Sequence, residues 1–158
     1  MKSISLALVT SAILALSACT TVNSVSNIPK QVQKSYSAFQ LQDISTQKSD
    51  INSQFAKKLN EQLTKYGYKT GNGLNLSYNI ESFDAGNRAL RYFVGFGAGK
   101  ATATISVKLT DETGQNLGQV STDTALYIGA FGGDAKGIID KAAKDIAKKI
   151  HETGILQK

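Results

Sequence analysis

The sequence predicts an α+β fold: a mostly antiparallel sheet of about four strands with two helices packed on one face, in the order β-α-β-β-β-α. Two patterns carry this prediction. Apolar residues recur about every four positions after Asp50 and again after Asp134, which is typical of helices with one buried side. Between these stretches apolar and polar residues alternate, which indicates strands with one buried face. One-sided helices and one-sided strands bury their apolar surfaces together as two layers.

A first strand is expected within residues 35–41, followed by a helix over residues 50–66. Ser49 or Asp50 suits the N-terminal cap of this helix, because short polar side chains satisfy the free N–H groups of a first turn. Gly67 suits the left-handed residue that follows a helix end. The apolar stripe of the helix is Ile51, Phe55, Leu59, Leu63 and Tyr66.

Three further strands are predicted in the middle of the chain. Residues 74–81 alternate strictly between apolar and polar side chains, and residues 101–110 largely do the same. The polar stretch 111–116, which includes Gly114, indicates a hairpin turn. The returning strand is expected over about residues 117–128.

A glycine-rich stretch precedes the second of these strands. Residues 91–100 read Arg-Tyr-Phe-Val-Gly-Phe-Gly-Ala-Gly-Lys. Gly95, Gly97 and Gly99 fall on one face, where the missing Cβ atoms allow close backbone approach. A phosphate-binding loop is not expected, because such a loop opens a helix and a strand follows here. Two interpretations stay open for Arg91 and these glycines: close packing within the domain, or a membrane-inserting or self-associating surface.

The last helix is predicted after a break at residues 129–133, with Asp134 as its cap and Gly154 at its end. Its apolar face is rich in small and branched side chains, namely Ile138, Ile139, Ala142, Ala143, Ile146, Ala147 and Ile150. A face of this kind can approach a glycine- and alanine-rich strand closely. We therefore expect this helix to pack across residues 97–103.

The N-terminus has the features of a leader peptide. Lys2 supplies a positive charge, residues 4–16 form an apolar centre, and small residues follow. This centre is shorter than the about 20 apolar residues that a membrane-spanning helix needs. The sequence Leu16-Ser17-Ala18-Cys19 resembles the lipobox of bacterial lipoproteins, in which an aliphatic residue and two small residues precede an obligatory cysteine.

The lipobox resemblance implies cleavage before Cys19 and lipid attachment to that residue; stable anchoring takes two or more acyl chains. Thr20 stands where retention in the inner membrane would need aspartate, so the resemblance implies an outer-membrane lipoprotein on the periplasmic side. We therefore expect a signal peptide (residues 1–18), a flexible polar tether (19–34) and a single periplasmic domain (35–158).

The block from Arg91 to the last helix resembles a family of small Gram-negative lipoproteins known only as a domain of unknown function. The matching features are the arginine before Gly95-Phe-Gly-Ala-Gly, the strand ending at Asp111, the pair Thr113-Gly114 and the break at Gly132-Gly133. This resemblance implies no reaction and no catalytic residues. The element order also resembles the periplasmic modules of envelope-assembly lipoproteins such as the curli secretion lipoprotein, which is an analogy of fold.

The residues that carry most enzyme chemistry are scarce. Cys19 is the only cysteine and His151 the only histidine, which leaves no Cys-His or Ser-His-Asp set and no cysteine-type zinc site. His151 is expected near a helix end as a partner of the helix dipole. Glu81 and Asp84 are a weak candidate pair of carboxylates for a hydrolase. We expect no metal, no cofactor and no enzymatic activity.

The functional hypotheses follow from the anchor and from this scarcity. The formal net charge is +6, but the lysines are scattered and no run of five like charges exists, so nucleic-acid binding is not expected. The leading hypothesis is a non-enzymatic, outer-membrane-anchored lipoprotein that acts as an accessory or binding module for an envelope component, with an unidentified envelope protein or a further copy as its partner. The alternative is an oligomer- or pore-forming lipoprotein that uses residues 91–99 as its contact.

Overall fold

The computed structural model describes residues 20–29, 34–86, 100–126 and 137–158. Its elements are β1 (Thr20–Ser26), β2 (Ala38–Asp43), α1 (Asp50–Lys65), β3 (Lys69–Thr70), β4 (Leu74–Asp84), β5 (Ala101–Thr110), β6 (Asn116–Leu126) and α2 (Gly137–Thr153). The six strands form one mixed sheet in the order β1-β6-β5-β4-β2-β3. The described part of the chain is thus an α+β fold with a six-stranded sheet and two helices.

Helix α1 forms where the sequence predicts it. Ser49 precedes the helix in an extended conformation, and its N–H donates to Oδ1 of Asn52 at 3.1 Å. At the other end Gly67 has a φ of +91°, and its N–H donates to the Thr64 carbonyl at 2.8 Å. Glycine is favoured there because it adopts this left-handed conformation without steric strain. The apolar residues on the buried side are Phe55, Leu59 and Leu63, as the periodicity predicts.

Both helices lie on one face of the sheet and pack against each other. α2 lies over β6, β1 and β5, whereas α1 contacts β2 and β3. The strand side chains beneath the helices are mostly apolar and buried; they include Phe39, Leu74, Leu76, Ile105, Val107, Leu109 and Val120. On the opposite face the side chains are mainly Ser, Thr, Asn and Gln. The described helices and strands thus form the predicted two layers around one core.

Small side chains line both surfaces where α2 meets the sheet. Ala142, Ala143 and Ala147 of α2 are buried, and so are Ala101 and Ala103 of β5. α2 contacts β5 directly. The expected packing of the last helix across residues 97–103 therefore agrees with the structure at residues 101–103, whereas residues 97–99 lie outside the described part.

The predicted flexible tether is wrong for residues 20–26. These residues form β1, which pairs antiparallel with β6 along its whole length. The strand is held largely by backbone hydrogen bonds, and its helix-facing side chains Thr20, Val22 and Ser24 are only half-buried. A strand of this kind shows no clear apolar alternation, which is why its sequence resembles a linker. The folded domain includes β1, so the predicted domain boundary at residue 35 is also wrong.

The predicted mostly antiparallel sheet is confirmed in outline, but it has six strands rather than about four. β1, β6, β5 and β4 are antiparallel neighbours, but β2 runs parallel to both β4 and β3. The parallel pairs arise because α1 carries the chain from the end of β2 back to the level of its start. The observed order is therefore β-β-α-β-β-β-β-α. β2 begins at Ala38 rather than residue 35, and β4 continues to Asp84 rather than residue 81.

A β-bulge in β4 decides which side chains face the helices near its end. The pairing with β5 skips Glu81, between Ile80 and Ser82. Since side chains alternate along a strand, the extra residue places Phe83 on the same face as Ile80, opposite Ala103 of β5. Ile80 and Phe83 pack against the core and remain partly exposed.

Candidate functional site

A cleft of about 580 Å³ opens where β4 extends past the end of β2. Residues 79–83 of β4 form one wall, and the loop before α1 with the first turn of that helix forms the other. The volume falls within the range of about 300–1,000 Å³ that is common for ligand pockets. The lining residues are Thr46, Gln47, Ser49, Ile51, Asn52, Asn79, Ile80, Glu81, Ser82 and Phe83.

The backbone of β4 has a free edge in this cleft. β2 accompanies β4 only as far as Tyr78, whose carbonyl accepts a hydrogen bond from the Ile44 N–H at 2.9 Å. One step further, the Ile80 N–H donates to the Ser45 hydroxyl at 3.0 Å. No described strand continues on this side, and residues 82–84 pair with β5 alone. An open stretch of strand edge is a template for an added strand.

The side chains of the cleft combine apolar and polar surface. Ile51, Ile80 and Phe83 are partly buried against the core and supply the apolar part. Glu81 is exposed and is the one charged residue among those that line the cleft. The other lining side chains are hydroxyls and amides. Such a cleft suits a ligand with backbone amides, an apolar side chain and a positive charge.

Asp43 holds the loop that forms one wall of the cleft. Its carboxylate accepts hydrogen bonds from the Ser45 N–H at 2.9 Å and from Nδ2 of Asn52 at 3.2 Å. Nζ of Lys48 lies 2.9 Å from Oδ2 of Asp43. Nδ2 of Asn52 also donates to the Gln47 carbonyl at 3.2 Å. This network ties the loop to both β2 and α1.

The network shifts two pKa values. Burial by itself raises the pKa of Asp43. The Lys48 ammonium and the hydrogen bonds from Ser45 have a larger, opposite effect, so that the pKa falls from an ordinary value of 3.8 to about 2. Burial, together with the nearby charge of Asp43, raises the pKa of Tyr78 to about 12. Tyr78 therefore keeps its proton at neutral pH, and its hydroxyl donates to the Asn52 carbonyl at 3.3 Å.

The lowered pKa of Asp43 predicts a loss of stability in acid. A carboxyl group with a lower pKa in the folded chain stabilises the fold above its unfolded pKa, near 3.8, and this contribution is lost as the pH falls towards about 2. We expect about 1 kcal/mol at neutral pH, because Lys48 is exposed and solvent screens the pair. Urea unfolding of the wild type and Asp43→Asn should differ by this amount at neutral pH and converge near pH 2.

Glu112→Gln is the matched control for this experiment. Glu112 is exposed on the turn between β5 and β6, so its replacement should leave the stability and its pH dependence nearly unchanged. An equal effect of the two substitutions, or a difference for Asp43→Asn that stays constant down to pH 2, would contradict the role given to Asp43.

The two carboxylates that the sequence suggests as a pair have different surroundings. Glu81 lines the cleft, whereas Asp84 does not and instead accepts a hydrogen bond from the Gly86 N–H at 2.8 Å. Asp84 thus shapes the turn that follows β4.

His151 lies in the last turn of α2, where the sequence places it. Its ring stacks on Tyr66 with a centroid separation of 4.1 Å, and its Nδ1 lies 2.5 Å from the Tyr68 hydroxyl. Both tyrosines belong to the end of α1 and the loop that follows it. The histidine therefore joins the C-terminal ends of the two helices.

One end of the sheet carries the attachment points of several undescribed segments. The start of β1, the end of β6, the start of β5 and the end of β4 lie together there. Because Cys19 directly precedes Thr20, a group attached to it is one residue away from the sheet. The cleft lies at this same end. The predicted site residues Cys19, Arg91, Gly95, Gly97 and Gly99 themselves fall outside the described residues.

Two further properties concern metals and membranes. Over residues 20–29, 34–86, 100–126 and 137–158, no three His, Cys, Asp or Glu side chains come together as metal ligands. Within the same ranges, no helix combines the length and apolar character needed to cross a bilayer.

Residues 17–130 match the protein family described as Domain of unknown function (DUF4410). The chain belongs to this family. The match begins just before β1 and extends beyond β6, so the DUF4410 region includes the strand that the sequence suggests is a tether. The expected membership of a family of unknown function is confirmed. No curated protein matches this DUF4410 chain in sequence.

Three solved structures are similar to this DUF4410 protein at low sequence identity. The PelC dodecamer from Paraburkholderia phytofirmans is 11% identical, with a TM-score of 0.57 over 89% of this chain and 100% of that one. A second structure of a PelC dodecamer variant is 13% identical, with a TM-score of 0.48 over 82% and 98%. A minor lipoprotein from Acinetobacter baumannii is 13% identical, with a TM-score of 0.44 over 73% and 92%. The first of these likenesses shows a common fold.

The cleft is the feature that sequence reasoning missed. In the sequence, Glu81 is the polar end of an alternating strand and one member of a weak carboxylate pair with Asp84, and nothing marks it as the charged residue of a cleft. The available signal is the spacing of Ile80 and Phe83, which breaks the alternation by one residue and is compatible with a bulge. The free edge of β4 has no signal of its own, because it depends on where β2 ends in space.

Proposed function

We propose that this protein is a non-enzymatic binding module of the bacterial envelope, anchored to the periplasmic side of the outer membrane by lipid on Cys19. The cleft beside β4 binds an extended segment of another envelope protein. The observation that carries the proposal is the free edge of β4 next to the apolar side chains Ile51, Ile80 and Phe83.

The cleft provides the parts that recognition of an extended peptide requires. The backbone of β4 offers main-chain hydrogen bonds, which give affinity without sequence preference. The apolar side chains supply a subsite for one side chain of the partner, and Glu81 favours a lysine or arginine beside it. Asp43 and Asn52 hold the opposite wall in place, so little ordering is needed on binding.

The anchor and the cleft belong to one end of the domain. β1 follows Cys19 directly, so lipid on that residue attaches to the sheet itself rather than to a loose linker. Three strand spacings separate β1 from β4, which amounts to about 14 Å. A partner bound in the cleft would therefore lie close to the membrane surface.

The environment of His151 supports a role without catalysis. The ring contacts both Tyr66 and Tyr68, and so links α1 to α2 far from the cleft. Here the ring serves the packing of the two helix ends.

Photo-crosslinking in intact cells tests the proposal. A photoreactive amino acid at Ser82, in the cleft, should crosslink the full-length protein to a specific envelope protein. The same amino acid at Gln42, on the open face of β2, is the control and should give no such product. Adding Glu81→Lys to the Ser82 variant should reduce the product by about tenfold, because it reverses the charge of the cleft.

The anchor is tested in the same cells. Cys19→Ser should move the chain out of the outer-membrane fraction and weaken the Ser82 product, because the domain is no longer held at the membrane. Equal crosslinking from Ser82 and Gln42 would overturn the binding cleft. A processed Cys19→Ser chain that stays in the membrane would overturn the anchor.

The second candidate function is an oligomer- or pore-forming envelope lipoprotein, for which residues 91–99 are the contact expected from the sequence. The fold likeness to the PelC dodecamer, which spans the whole of that chain, favours this candidate. Light scattering of the lipidated protein in detergent distinguishes the two: a mass of several copies supports the oligomer, and the mass of one copy speaks against it.

A further inference from the structure

The two edges of the sheet differ in how they are protected. The β3 edge is only two residues long and includes Lys69, and both features discourage strand addition. The β1 edge is seven residues long and reads Thr-Thr-Val-Asn-Ser-Val-Ser, without charge or proline. β1 pairs with β6 on one side, and no described residue pairs with its other side. Proteins usually blunt an edge of this length.

We propose that the β1 edge is an interface at which two copies of this protein pair antiparallel, β1 against β1, into a continuous twelve-stranded sheet. The inference rests on the oligomeric candidate described above and supplies one two-fold contact for it within the described residues, which by itself joins two copies. It differs from the contact expected at residues 91–99.

The sequence of β1 is compatible with pairing to itself. With the two-fold axis at the centre of the strand, Asn23 lies opposite Asn23 of the partner subunit. Val22 then faces a serine and Thr21 faces a valine, so no like charges meet across the seam. Val25 is 72% exposed, the highest value among the large apolar side chains that the structure describes. Pairing brings a threonine alongside it.

Side chains of α2 fix β1 in a conformation suited to pairing. The Ser24 hydroxyl donates a hydrogen bond to the Asp145 carboxylate and lies 2.9 Å from the Thr122 hydroxyl. Nζ of Lys141 donates to the Thr20 hydroxyl. These contacts hold the strand at both its start and its middle. The strand is therefore held against β6 and α2 over its length rather than left as a loose end.

The lipid anchors make a second copy the favoured occupant. A single strand pair buries less surface than the about 1,200–2,000 Å² of a stable interface between soluble proteins. A high local concentration of the two copies is therefore needed for it to form. Confinement of both copies to one membrane provides this concentration. The two-fold axis of an antiparallel edge pair runs along the sheet normal. The two Thr20 residues then lie at opposite ends of the seam, about 20 Å apart and level along that axis, so anchors next to them can enter one bilayer parallel to the sheet.

Disulfide trapping tests this interface in membranes that contain the full-length protein. Directly opposite residues of an antiparallel pair have Cα atoms about 4.5–5.5 Å apart, which suits a disulfide. Asn23→Cys should therefore form a disulfide-linked dimer under mild oxidation. A mixture of Thr21→Cys and Val25→Cys chains should form the mixed dimer in preference to either homodimer. Lys69→Cys, at the other edge, should form none.

A charge placed on the edge provides the second measurement. Val25→Lys, added to Asn23→Cys, should lower the yield of dimer by about tenfold, because two like charges enter a neutral seam. Ile44→Lys is the matched control, since Ile44 is 50% exposed and lies away from β1. It should leave the yield unchanged, and both substitutions are exposed enough to preserve folding.

Each failure has its own signature. Asn23→Cys chains that are in the membrane and form no dimer, or that link instead to a different protein, overturn the proposal and leave the anchor intact. Equal trapping at Lys69→Cys overturns it as well, because the contact is then unspecific. Chains found outside the membrane contradict the anchor instead. In that case the Asn23→Cys disulfide is measured in a concentrated solution of the protein, and its absence there refutes the β1–β1 interface.

Discussion

Replacing Gly73 by alanine should destabilise the protein by about 3 kcal/mol or more. Gly73 has a φ of +151°, and a Cβ at this position would lie 2.5 Å from the carbonyl oxygen of Ala38 and 3.3 Å from its carbonyl carbon. The Ala38 backbone cannot retreat, because β2 is paired with β3 and β4 there. Urea unfolding of the protein measures the effect.

Gly114→Ala is the matched control for this substitution. Gly114 also has a positive φ, of +87°, but no atom lies within 4 Å of the Cβ that alanine would add. Its replacement meets only the backbone strain of a left-handed residue, about 1 kcal/mol. If Gly114→Ala proves as destabilising as Gly73→Ala, the close approach of β2 and the start of β4 is not the cause.

Phe55→Ala should destabilise the protein by about 3–5 kcal/mol, because it empties the centre of the core. Phe55 is completely buried on α1, and its ring centre lies 5.2 Å from that of Tyr78 at an angle of 57°. Tyr78 in turn donates to the Asn52 carbonyl, and Asn52 holds Asp43. The cavity therefore also loosens the wall of the cleft.

The control for this prediction lies on the same helix. Lys57 is exposed, and Lys57→Ala should change the stability by less than about 0.5 kcal/mol. The loss of stability caused by Phe55→Leu should lie between those of Lys57→Ala and Phe55→Ala, since leucine keeps part of the buried volume. If thermal unfolding gives Phe55→Ala a free energy of unfolding within about 1 kcal/mol of the wild-type value, the packing described for this site is contradicted.

The local elements with strong periodicity could be predicted from the sequence because each buries one continuous face. α1 and β5 lie within a residue or two of the predicted bounds, since every fourth or every second side chain enters the core. The glycine after α1 and the turn before β6 were also predictable, because each depends on the conformational freedom of one or two residues. At Asp111, the carboxylate accepts hydrogen bonds from the Thr113 and Gln115 N–H groups, as a polar turn does.

β1 could not be predicted in this way because its stability comes from its neighbour. Its side chains are mostly polar and at most half-buried, and it is held largely by backbone pairing with β6. The bulge at Glu81 is similar, because its position depends on the register between β4 and β5. Neither feature follows from a pattern within a single segment.

The sequence by itself determined the two helices, the central antiparallel strands, the two-layer α+β class and the candidate anchor at Cys19, because each is encoded within one short segment. Only the tertiary structure decided that Thr20–Ser26 completes the sheet, that β2 is parallel to β4, and that a cleft opens beside residues 79–83. These features depend on which strand ends first and which edge stays free, and both depend on contacts between segments far apart in the chain.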